Sequence, residues 1–113
     1  MSEATMYPQG TRELSEMRKS LAPKQADAFK AFSQAVFAEG ALPAKTKQLI
    51  AVAVAHVTQC PYCIHGHTKA AVQHGANAEE IMEAIWVAAE MRAGGAYAHA
   101  NLALDTIAQA QSK

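Results

Sequence analysis

The spacing of proline and glycine constrains this chain more than any other feature. They punctuate it at Pro23, Gly40, Pro43, Pro61, Gly75 and the pair Gly94 and Gly95. These intervals suit helices rather than hairpin strands. Between them alanine is abundant, and no segment sustains the period-two alternation of β-branched residues that a half-buried strand requires. The pattern predicts an all-α fold of about six helices, with no internal repeat and no low-complexity segment.

After a loose N-terminus, Thr11 is placed to cap a short helix through about Ser20, with Leu14 and Met17 on one face. Pro23 opens a second helix whose apolar stripe is Phe29, Phe32, Val36 and Phe37, with Gly40 expected to end it. Pro43 starts a third, AKTKQLIAVAVAHVTQ, which is polar for one turn and then apolar nearly all round, so it should be covered on several sides. A fourth helix runs from Pro61 or Tyr62 to His74 and stops at Gly75. Asn77 with Glu80 forms an asparagine variant of the capping box for the fifth, AEEIMEAIWVAAEMRA. Gly94 and Gly95 are expected to break the pattern before a sixth, AYAHANLALDTIAQA.

With 113 residues there is room for one domain, 1–113, and for one modest core. Taken singly, Met82, Trp86, Val87 and Met91 read as intramolecular core. Taken together, the third and fifth helices carry more apolar surface than their neighbours can hide, which predicts self-association. Ten basic residues balance ten acidic ones, so no net field gathers nucleic acid or an anionic membrane. The longest apolar run, Leu49 to Ala55, is too short to span a bilayer, and the opening MSEATMYPQG lacks the form of a secretory signal. The expectation is a soluble, cytoplasmic protein.

The only cysteines are Cys60 and Cys63, in QCPYCIHGH. In a reducing compartment such a pair points to catalysis or metal binding, because a disulfide across so short a loop constrains the unfolded chain very little. On a helix beginning near Cys60, residues three and four apart share a face, so Cys60 meets Cys63 and Cys63 meets His67. The first helical turn supplies unpaired amides and partial positive charge that favour a thiolate. A thiolate can attack a peroxide to give a sulfenic acid, which a neighbouring thiol condenses to a disulfide.

Other readings of the motif compete. CPYC also occurs in glutaredoxins, but that fold needs a strand before the motif and a cis-proline after it, whereas all four prolines lie at or before Pro61. Zinc could draw on Cys60, Cys63 and His67 with His65 or His56, although four ligands on one continuous segment do not easily surround a tetrahedral ion. Two buried cysteines with a surface histidine is the plain structural alternative. His56 lies four residues before Cys60, on the same track if the third helix continues that far, and otherwise reads as a histidine bonded at a helix end. His65 falls about 200° round from the reactive face. With His74 and His99 it reads as a surface or interface residue. Glu83 or Glu90 could bring a carboxylate from the fifth helix. Tyr62 and Trp86 could wall a pocket, with packing favoured for Trp86.

The segment from Leu42 to Ala89 resembles the carboxymuconolactone decarboxylase superfamily, and more closely its AhpD-like alkylhydroperoxidase branch. The resemblance rests on Cys-x-x-Cys-x-x-x-His after an apolar helix, followed by GA and an acidic helix start. It implies an all-helical redox protein, assembled as trimers or hexamers, without a bound cofactor or metal. Such a protein reduces an organic hydroperoxide with electrons from a dithiol, such as a dihydrolipoyl group or a thioredoxin-like protein. By that match Cys63 attacks, Cys60 resolves and His67 carries the proton. In thioredoxin-like proteins, by contrast, the first cysteine is often the reactive one.

This sequence departs from the AhpD-like pattern twice. Gln48 stands where the branch has a relay glutamate, twelve residues before the first cysteine, and Tyr62 stands where a histidine is frequent. Glutamine can orient an imidazole but cannot take its proton. Two further functions remain open from other classes: a lactone decarboxylase, which does not depend on a CxxC, and a non-enzymatic oligomer whose dithiol senses oxidation.

Overall fold

The computed structural model describes residues 6–112, so the first part of the expected loose N-terminus lies outside the described residues. Six helices follow in order: α1 Arg12–Leu21, α2 Pro23–Phe37, α3 Ala44–Thr58, α4 Pro61–Gln73, α5 Ala78–Ala98 and α6 Ala100–Gln111. Among the described residues there is no strand and no cis peptide bond. No helix among them is long and apolar enough to cross a membrane. The chain divides into two compact units, one ending at Gly40 and the other beginning at Ala41.

The first unit is the helix pair α1 and α2. The Thr11 side chain accepts from the Leu14 amide at 3.2 Å, satisfying one of the orphan donors of α1 as its sequence requires. Pro23 sits at the start of α2, where its missing N–H has no partner to lose. That helix ends at Phe37, before Gly40, when the Ala38 backbone turns extended while its amide still reaches Gln34. A left-handed glycine is therefore not needed there. No residue of either helix is buried, and Phe29 and Phe32 remain largely exposed.

In the second unit α3 packs against both α4 and α5. The contact is made of small side chains: Val52, Ala71 and Ala76 are buried, with Leu49, Ile81 and Ile85 against them. Positions 44, 48, 52 and 55 form the buried stripe of α3, at helical spacing. Its third side is uncovered, since Ile50, Val54 and Val57 are each about half exposed. The expectation that α3 is enclosed on several sides thus holds for two of its sides.

Helix ends in this unit follow the local chemistry. Gly75, at φ 95°, closes α4 in a Schellman motif, with Ala76 N–H on Ala71 O at 2.9 Å and Gly75 N–H on Val72 O at 3.0 Å. The capping box of α5 is complete: the Glu80 amide donates to Asn77 Oδ1 at 2.8 Å, and the Asn77 amide donates to Glu80 Oε1 at 2.9 Å. Lys45 reaches the other oxygen of Glu80 at 2.7 Å, tying the start of α3 to the start of α5.

Two expectations fail here. The helix α5 runs through Gly94 and Gly95 to Ala98, and the break before α6 falls at His99. Glycine lowers helix propensity by roughly 1 kcal/mol but imposes no stop, and both glycines keep negative φ within an alanine-rich run. Moreover Met82, Trp86, Val87 and Met91, read singly as core, are all exposed, Trp86 at 67%. The face of α5 that meets α3 is the one bearing Ile81, Ile85 and Ala88.

Candidate redox site at the start of α4

The site is built by the turn between α3 and α4. Helix α3 stops at Thr58, and Gln59 takes the left-handed conformation at φ 58°. The Cys60 amide then reaches back to Ala55 O at 3.2 Å, the same long closing bond that Gly75 makes possible at the end of α4. A non-glycine residue in this region carries about 1 kcal/mol of backbone strain. The turn places Cys60 as the N-cap of α4 and Pro61 at its first position.

As N-cap, Cys60 uses its sulfur where serine or aspartate usually offers an oxygen. Sγ accepts from the Cys63 amide at 3.2 Å. The two cysteines are joined as a disulfide. Both are half-buried, and Tyr62 between them is 48% exposed.

His67 lies one turn beyond Cys63 on α4 and is half-buried. Its Nδ1 is 2.8 Å from Oε1 of Gln48. Gln48 is 7% exposed, the one polar side chain among the buried residues described, and it belongs to the inward stripe of α3. Four of the five residues singled out from the sequence thus fall into two linked pairs, Cys60 with Cys63 and His67 with Gln48.

His56 stands apart. The left-handed Gln59 interrupts the helical track on which it would precede Cys60, and its Nδ1 lies 2.7 Å from Val52 O, four residues back on its own helix. His74 and His99 repeat that bond to Ala70 O and Gly95 O, and His65 is exposed. Glu83 and Glu90 are exposed on α5, and the Glu90 carboxylate lies against Gly94 of its own helix. Among the described residues no group of three or more His, Cys, Asp or Glu side chains is arranged to hold a metal.

Two supporting contacts were not foreseen. Arg92 of α5 donates to Val57 O at 3.4 Å, placing a cation on the last carbonyls of α3 beside the turn that carries Cys60. The Lys45 to Glu80 pair buttresses the first turn of α3, one turn before Gln48. Neither has a sequence signal, because both span more than thirty positions.

The carboxymuconolactone decarboxylase family model matches residues 23–106, and the chain belongs to this family. It is 74% identical over 78 residues to uncharacterized protein 4 in the cox locus of Paracoccus denitrificans, covering 69% of this chain and 70% of that one. A solved structure from Methanobacterium thermoautotrophicum superimposes with TM-score 0.70 at 37% identity, covering 74% of this chain and 93% of that one. A carboxymuconolactone decarboxylase family protein from Legionella pneumophila does so with TM-score 0.64 at 39% identity, covering 70% of each chain. A third, from Thermotoga maritima, for which a role in an antioxidative response has been suggested, gives TM-score 0.54 at 38% identity, with 57% of this chain and 66% of that one covered.

Proposed function

We propose that this chain is an AhpD-like, thiol-dependent disulfide oxidoreductase that reduces organic hydroperoxides. The observation that carries the reading is the Cys60 and Cys63 pair at the start of α4, bridged as a disulfide, with His67 one turn along and held from α3 by Gln48. The antioxidative role suggested for the Thermotoga maritima relative points the same way.

In this reading His67 takes the proton of Cys63, and the thiolate attacks the outer peroxide oxygen. The S–O bond forms as the O–O bond breaks, and the leaving alkoxide takes a proton to become the alcohol. Cys60 then attacks the sulfenic sulfur of Cys63, expelling water and forming the disulfide. A dithiol of the dihydrolipoyl type, or a thioredoxin-like protein, reduces the disulfide and is itself oxidised, returning both thiols. Gln48 holds the imbalance of this site relative to the AhpD-like pattern, since an amide accepts a hydrogen bond but no proton. His56 is at most an outer participant, because its ring is bonded to its own helix.

The active form, in this proposal, is a homotrimer or homohexamer. Ile50, Val54 and Val57 on α3 and Met82, Trp86, Val87 and Met91 on α5 are exposed apolar residues at helical spacing, which an assembly of copies would cover.

The test is the intact mass of reduced protein after brief exposure to one equivalent of cumene hydroperoxide, with alkylation to count remaining thiols. Both thiols are expected to vanish together within seconds, and serine at either cysteine to abolish disulfide formation. If both stay alkylatable in the native chain, the peroxidase reading fails, and decarboxylase-like or binding roles move to the front. A disulfide that forms once, but is not turned over by any dithiol, would mark a sensor.

A further inference from the structure

We infer that the groove between α1 and α2 is a binding site for a nucleotide, with Arg18, Lys19 and Lys30 on its phosphates and the ring of Phe29 under its base. The inference concerns the first unit alone and does not rest on the oxidoreductase reading.

A groove of about 860 Å³ lies between the two helices. Small-molecule sites commonly measure roughly 300 to 1,000 Å³, so the groove has the size for a nucleotide. Both of its walls follow helical spacing. At the end of α1, Arg18 and Lys19 stand one turn before Ala22. On α2, Phe29 and Lys30 stand one turn after Ala26 and one turn before Ser33. Each set therefore shares a helix face. Ala26 and Ser33 are half-buried while the three cations are exposed, so small side chains form the floor and charged ones the rim.

The charge on this rim is one-sided. Glu13, Glu16, Asp27 and Glu39 of the same unit all lie outside the groove lining. Arg12 pairs with Glu16, and Lys45 with Glu80, but Arg18, Lys19 and Lys30 have no acidic partner among the described residues. Like charges around one groove repel, and a ligand that brings several negative charges relieves the repulsion. A single carboxylate leaves two cations unanswered, whereas a di- or triphosphate meets all three. The planar fork of Arg18 suits phosphate oxygens, and the lysines add point charges.

Phe29 supplies the other half of the match. Its ring is 68% exposed, and it rests against Phe32 with centroids 6.3 Å apart and planes tilted by 47°. An exposed aromatic beside a cationic wall is a platform on which a flat base stacks. The charge selects phosphate, and the ring selects a phosphate that carries a base.

Isothermal titration of ADP into the full chain at low salt tests the inference, with inorganic pyrophosphate and adenosine as the separate halves of the ligand. ADP should bind at least tenfold more tightly than either half. Arg18→Gln and Lys30→Gln should each weaken ADP and pyrophosphate alike, by about tenfold, since each removes charge-assisted hydrogen bonds. Phe29→Leu should weaken ADP about tenfold and leave pyrophosphate unchanged, because only the stack is lost. Circular dichroism of each variant should match the native chain, as all three side chains are exposed. The proposal is overturned if ADP gives no heat at millimolar concentration, if pyrophosphate binds as tightly as ADP, or if the three substitutions leave ADP binding unchanged. A fall in sedimentation mass on Lys30→Gln would also overturn it, by assigning the groove to a second copy of the chain.

Discussion

The inner and outer faces of α5 differ in burial more than in side-chain size. The face toward α3 carries Ile81, Ile85 and Ala88 against a core of Val52, Ala71 and Ala76, while Met82, Trp86, Val87 and Met91 face outward. The largest apolar groups of this helix are thus the least buried. Small residues inside let α3, α4 and α5 approach closely enough for Gln48 of α3 to reach His67 of α4. Large residues outside contribute nothing to that geometry and keep their apolar surface available for association. One face shapes the site, and the other is the one that the proposed assembly would cover.

Substitution on the two faces should separate these roles. Val52→Ala should lower the unfolding free energy by about 2 to 3 kcal/mol, from roughly 0.8 kcal/mol per buried methylene and a cavity term. Denaturant unfolding measures it, and a loss under about 0.5 kcal/mol would mean that this core is not what holds the unit together. Trp86→Glu should leave helical content unchanged, yet drop the mass in sedimentation toward the 12.0 kDa of a single chain. An oligomer unaffected by that charge would place the contact between copies elsewhere.

Smaller effects are expected where the unit is tied at its helix ends. Asn77→Ala removes the acceptor that caps α5 and should cost about 1 kcal/mol in the same unfolding measurement. Gln59→Gly should stabilise by somewhat less, about 0.5 kcal/mol, by relieving the left-handed strain at φ 58° against the greater freedom of glycine in the unfolded chain. If it destabilises instead, the turn before Cys60 is held by the glutamine side chain rather than merely tolerating it.

The smallest effect is a pH dependence. The side-chain bond from Lys45, and then the Asn77 amide, hold the Glu80 carboxyl below its ordinary value. Because the folded value is the lower one, this contribution is fully present above the unfolded carboxylate pKa and is lost as pH falls through the folded value. Stability of the native chain should therefore fall in that acidic window more steeply than that of Glu80→Gln, and equal slopes would show that the bridge is fully screened by solvent.

Much of this was legible in the sequence because it is local. Thr11, Asn77 with Glu80, and Gly75 each satisfy backbone groups within five positions of themselves, and Pro23 lacks a donor that would go unpaired, so their residue types announce the helix ends. Gly94 and Gly95 misled, since glycine permits a break without requiring one, and the chain turns instead at His99. The CxxC and its histidine were legible by spacing alone. The link of His56 to Cys60 was not, because one left-handed residue, Gln59, reset the helical phase between them.

The sequence by itself determined an all-α chain, the helix caps, and a dithiol at the head of a helix with a histidine one turn on. These depend on hydrogen bonds that close within a turn or two, and the residue types there leave few alternatives. Tertiary structure decided that Gln48, nineteen positions away, meets His67, that Arg92 and Lys45 brace the site, and that small side chains rather than large ones fill the core. Such contacts depend on which faces of neighbouring helices come together, and helical periodicity marks an apolar face without saying what will cover it.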